Sequence, residues 1–144
     1  MGQESIVYGY LLSAPWMSQD PSRLHQINQQ VIQELPADGG PAAGMFWLPA
    51  PCATCGNRRN ELVHFGATID DVRLHWKPWL KNFEATLRRM YWLRVVLHLE
   101  ANDLGEHRYD WSVEANQIIR FFEDPPRPVE RWLFDGGPRD FDGW

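Results

Sequence analysis

Cysteine is scarce in this chain: Cys52 and Cys55 are its only two, three positions apart in 144 residues. A disulfide framework of the kind that holds small secreted domains together is therefore excluded. The opening MGQESIVYGY lacks both the positive charge and the long apolar run of a secretory signal, and position 6 is isoleucine where a myristoylation signal wants serine or threonine. No stretch approaches the roughly 18 consecutive apolar residues of a membrane span. A soluble protein in the cytoplasm is expected. Catalytic punctuation is missing as well. None of Ser5, Ser13, Ser18, Ser22 and Ser112 sits in a G-x-S-x-G elbow, and Gly39-Gly40 and Gly136-Gly137 lack the spacing and following helix of a phosphate cradle.

What the chain has in excess is tryptophan. Eight Trp exceed what a core of this size needs, so some are expected at the surface, where a large ring anchors an interface at small entropic cost. Charge is unevenly placed. The net charge is −5, and residues 98–144 hold 11 acids against 5 bases, whereas residues 1–97 hold 8 acids and 9 bases. An acidic last third argues against general nucleic-acid binding and suits a basic partner.

The chain is organised around Pro78 to Ala101, where a helical period gives way to a strand period. Leu80, Phe83, Leu87 and Met90 or Tyr91 recur at three- and four-residue steps, Pro78 suits a first helical position, with a short turn capped by Asp70 and Asp71 ahead of it or a bend where the proline interrupts Val72 to Lys77, and Glu84 stands four residues before Arg88 as a helical ion pair would. From Trp92 the period is two: Leu93, Val95, Leu97, Leu99 and Ala101 face one way, and Trp92, Arg94, Val96, His98 and Glu100 the other. The second face mixes aromatic, charged and imidazole groups, as on a sheet covered by helices on one side only.

Elsewhere, Ile6 to Leu12 reads as a central strand apolar on both faces. Asp20-Pro21 caps and starts a helix with a stripe of Leu24, Ile27, Val31 and Leu35, Met45 to Leu48 is a brief strand, and Glu61 to Thr68 alternates as another. Asn102 to Gly105 reads as a hairpin connection into a strand carrying Tyr109, Trp111 and Val113 on one face. Ile118 to Phe122 is too short to assign, Arg131 to Phe134 reads as one more short element, and the ending from Asp135 has too much Gly and Asp for a regular element. The expected fold is a single α+β domain over residues 1–144: an antiparallel or mixed sheet of about five strands, two helices on one face, in split βαβ (ferredoxin-like) order with a C-terminal hairpin, and 135–144 as an acidic, aromatic tail.

Two motifs invite chemistry. Cys52-Ala-Thr-Cys55 is half of a zinc site or a redox pair, but no second C-x-x-C and no closely spaced histidine pair completes four ligands, and the residues after it read as a loop rather than a helix start. With His98-Leu99-Glu100 it contains both halves of a zinc deaminase signature, in reversed order. Asp135, Asp140 and Asp142 lack the glycine and glutamate of a calcium loop. No catalytic residue, metal ligand or cofactor is assigned; a small zinc-dependent or redox module using Cys52 and Cys55 is the competing reading, and a subunit of a larger assembly a third.

A small acidic domain with surface aromatics, the opening Ser5-Ile-Val-Tyr-Gly-Tyr-Leu and an aromatic, acidic end resembles the immunity proteins that bacteria encode beside secreted antibacterial toxins. The resemblance implies a protein that is not an enzyme, whose partner is a cognate toxin and which acts by occluding it, with no nucleic acid or membrane among its partners. Independently of the resemblance, the excess charge places the partner surface on the last third of the chain, with Trp111, Trp132, Asp135, Asp140, Asp142 and Trp144 as its candidate residues.

Overall fold

Alternation in the sequence becomes, in the computed structural model, one antiparallel sheet of six strands. The structure describes residues 4–14, 18–36, 40–48 and 60–143. The strands are β1 (Glu4–Ser13), β2 (Phe46–Trp47), β3 (Glu61–Asp70), β4 (Arg94–Ala101), β5 (Gly105–Ser112) and β6 (Leu133–Gly136), in the order β2-β3-β1-β4-β5-β6. The helices are α1 (Pro21–Gln33), α2 (Val72–Leu87) and the single turn α3 (Ala115–Ile118), and a 3₁₀ turn at Ile119–Phe122 continues α3. The α+β class is as expected. The numbers are not: a third helix and a sixth strand come from segments whose periodicity was too short to read. Among the described residues no helix is long and apolar enough to cross a membrane.

Local chemistry explains the elements. Asp20 accepts a hydrogen bond from the Arg23 amide at 3.2 Å while Pro21 occupies the first helical turn, so α1 starts where its free N–H groups are satisfied. β1 is central, flanked by β3 and β4 along almost its whole length. Gly9 in its middle faces inward, and there is no room for a side chain: a Cβ would stand 2.0 Å from the Val96 carbonyl oxygen and 2.9 Å from the Phe65 ring. Gly105, with φ +85°, turns the hairpin into β5.

Pro78 does not start α2; it lies inside it. An interior proline costs a hydrogen bond and strains the preceding turn, about 3 kcal/mol. That cost is outweighed because Val72, Trp76, Trp79, Leu80, Phe83 and Leu87 form one buried stripe running past the proline, each large side chain contributing about 1.5–3 kcal/mol. Pro78 and Leu74, whose carbonyl would have been its partner, both lie on the exposed side, where water can take the freed acceptor.

Both long helices pack on one sheet face. Val7, Leu11, Val63, Phe65, Val95, Leu97, Leu99, Tyr109 and Trp111 point into a single core shared with Leu24, Val31 and Ile32 of α1 and the stripe of α2. Aromatic rings run through it: Trp76 stacks on Trp79 at 5.4 Å, Trp79 on Phe83 at 5.3 Å, and Phe83 meets Trp111 at 5.5 Å. Trp92, expected on the opposite face of the strand, instead precedes β4 and is fully buried, its indole N–H donating to the Leu87 carbonyl at 2.9 Å. The helix end offers that carbonyl an acceptor role, and the ring fills the corner between α2 and β4.

Candidate functional site: the open face of the sheet

The second sheet face has no helix layer among the described residues. Register assigns its side chains. Trp47 of β2 lies opposite His64, His64 opposite Tyr10, and Tyr10 opposite Val96; beside this row, Leu62 is opposite Leu12, and Tyr8 is flanked by Gly66 and His98. Ile6 lies between Thr68 and Glu100. Besides Leu133 of β6, four large hydrophobic residues of this face stay in water: Ile6 at 47% exposure, Tyr8 at 40%, Trp47 at 60% and Leu62 at 43%. Scattered exposed hydrophobics are ordinary, but these lie on three adjacent strands as one patch.

Polar groups frame the patch. Tyr8 stacks on the His98 ring with centroids 5.2 Å apart, and its hydroxyl donates to Glu100 Oε1 at 3.3 Å. On the β4–β5 side, Arg94 grips Asp110 through both Nε (3.2 Å) and Nη2 (2.6 Å), and Arg108 reaches the same carboxylate at 3.2 Å. The hydrogen bond from Arg94 holds the Asp110 carboxyl below its ordinary range against the opposing effect of burial. The concavity among Tyr8, His98, Glu100 and Glu106 measures about 230 Å³, and one at the start of α2, between Ser5 and Leu104, about 280 Å³. Both fall short of the roughly 300–1,000 Å³ of small-molecule pockets.

The described residues among those expected to form the partner surface do not share one face. Trp111 requires correction as a surface anchor: it is fully buried, between the Phe83 and Phe134 rings, with its indole N–H donating to Glu84 Oε2 at 2.9 Å. Its strand pairs with β4 so that Tyr109 and Trp111 fall beside Leu97 and Val95, which fixes that side as core. Trp132 is half-buried, packed on Trp92 at 5.7 Å with the Arg88 guanidinium 4.2 Å from its ring centre. Asp135 is exposed on the open face opposite Asp110. Asp140 is exposed but lies across the sheet, 3.7 Å from Lys77 of α2, and its Oδ1 accepts the Asp142 amide at 2.9 Å. Asp142 is exposed. Trp144 lies outside the described residues, as do Cys52 and Cys55. Among the described residues no group of three or more His, Cys, Asp and Glu is placed to hold a metal ion.

The C-terminal segment also departs from expectation. Leu133–Gly136 is a strand despite its Asp and Gly, because β5 offers a full edge and Gly136 fits closely against Tyr109, where a Cβ would meet the backbone at 2.9 Å. Beyond it, the Pro138 carbonyl accepts from both Tyr109 and Trp76, Arg139 pairs with Glu84, and Phe141 is fully buried beside His107. Glu84 thus serves Arg139 and Trp111 rather than Arg88, which donates instead to the Glu130 carbonyl at 2.8 Å.

Sequence reasoning missed Trp47, Leu62, Ile6 and Tyr8. The signal was present in β1, whose apolar residues occupy both faces, whereas the described helices pack on only one. No family model matches this chain, and no curated protein or solved structure matches it.

Proposed function

We propose that this chain is an immunity protein, a non-enzymatic binder that neutralises a cognate bacterial toxin in the cytoplasm by docking on it and obstructing its active site or a movement it needs. The observation that carries the reading is the exposed patch of Ile6, Tyr8, Trp47 and Leu62 on a sheet face with no second layer among the described residues. Aromatic and aliphatic side chains held on rigid strands lose little entropy on binding, which is what hot-spot anchors require. The interface accordingly moves from the last third of the chain to this face, with Asp135 at its margin. The same reading extends to the fold: the order β2-β3-β1-β4, joined through α1 and α2, supports a split βαβ core extended by β5 and β6.

The test is protection. The protein is co-expressed with the toxin encoded beside its gene, and Trp47→Ala combined with Leu62→Ala is expected to abolish growth rescue and speed dissociation while leaving thermal unfolding nearly unchanged. Full rescue by that folded double variant would remove the open face as the interface.

A further inference from the structure

The open face is not uniform in charge. At the end where β1 begins and β4 turns into β5, Glu4 stands directly opposite Asp70, and Glu100 directly opposite Glu106. Residues so placed on one face of an antiparallel pair have Cβ atoms about 4.5–5.5 Å apart, and like charges there are destabilising. Among the described residues none of these four carboxylates is in an ion pair, because the guanidinia of this face, Arg94 and Arg108, are both committed to Asp110. The sheet therefore holds two opposed pairs of negative charge that its own side chains do not compensate. They border apolar surface: Ile6 adjoins Glu100, and the concavity beside it is lined by the stacked Tyr8 and His98 rings, by Glu100 and Glu106, and by Arg108, whose charge is engaged by Asp110.

Resting on the reading above, we infer that this end of the sheet receives a cationic segment of the protein partner, an arginine or lysine entering between Tyr8, Glu100 and Glu106 while an apolar residue of the same segment lies on Ile6. A cation there gains from two carboxylates and from the face of an aromatic ring. Nucleic acid is the wrong occupant, since its phosphates would meet uncompensated acids.

The experiment begins with the protein alone. Glu100→Gln/Glu106→Gln should raise the melting temperature at low salt, and a fall would show that the opposed charges are not in tension. Amide shifts of the full chain are then followed by NMR during titration with a short peptide alternating arginine and leucine, with its glutamate-for-arginine counterpart, and with a single-stranded oligonucleotide. The basic peptide should shift Ile6, Tyr8, His98, Glu100 and Glu106, and the double variant should weaken it on the order of tenfold at low salt. The inference is overturned by shifts confined to Asp135, Asp140 and Asp142, by no shifts, by equal response to the acidic peptide, or by oligonucleotide binding at these residues. With toxin in hand, the two readings separate: loss of protection in the Trp47/Leu62 variant with an unchanged association rate in Glu100→Gln/Glu106→Gln sinks only the charge inference, whereas full protection by both folded variants sinks both.

Discussion

Phe141→Ala asks whether the C-terminal segment belongs to the core or is available to a partner. The phenyl group is fully buried against the His107 ring, and the chain just before it is tied down by the Pro138 carbonyl, which accepts from Tyr109 and Trp76, and by Arg139 on Glu84. Removing a buried phenylalanine side chain costs about 3–5 kcal/mol, and the value depends on how far the site can collapse. Anchorage at Pro138 and Arg139 limits collapse, whereas the exposed flanking residues Asp140 and Asp142 can shift to favour it, so about 3 kcal/mol is expected. Unfolding entropy of about 2.1 cal/mol/K per residue over 144 residues is about 0.3 kcal/mol per kelvin, so the melting temperature should fall by roughly 10 °C. Urea unfolding followed by tryptophan fluorescence should show a lower midpoint at unchanged slope, because the denatured state and the area exposed are nearly the same. Asp142→Ala, at an exposed neighbour, should change stability by less than about 0.5 kcal/mol. A Phe141→Ala loss below about 1 kcal/mol would refute the reasoning and return the segment to the surface as a candidate for binding.

Three further outcomes are expected. Leu97→Ala, at the buried centre of β4, should cost about 2–5 kcal/mol and Arg94→Ala far less, and equal losses in thermal unfolding would mean that the facing of the strand is wrong. Gly9→Ala should destabilise by several kcal/mol, roughly 4 or more, because its Cβ would strike the Val96 carbonyl, which is backbone and cannot swing away; an unchanged urea midpoint would contradict the pairing of β1 with β4. Burial pushes the Tyr109 hydroxyl up from 10.0 to about 12 despite the opposing hydrogen bond from Trp76. The folded state therefore holds that proton when the unfolded state has lost it, and the contribution to stability is complete below pH 10 and lost as pH rises from about 10 to 12. Tyr109→Phe should flatten that alkaline decline, and an identical pH dependence in wild type and variant would rule the assignment out.

Several elements were legible in the residues because each depends on chemistry within a few positions. Asp20-Pro21 supplies a cap and a preset dihedral, so α1 starts there whatever it packs against. The two-residue period of Val95, Leu97 and Leu99 assigns the core side of β4, and the connection through Gly105 makes its partner the next strand. Tertiary structure decided the rest. Pro78 reads as a helix start by local rules and lies inside α2 because a continuous buried stripe outweighs one lost hydrogen bond. Leu133–Gly136 has poor strand propensity and pairs because β5 presents an unsatisfied edge. Whether a tryptophan is an anchor or a core residue depended on the layer above it: Trp111 lies under α2, whereas Trp47, on an edge strand's other face, is left in water. Composition could count the excess aromatics, but only the arrangement of helices over one side of the sheet determined which of them remain exposed.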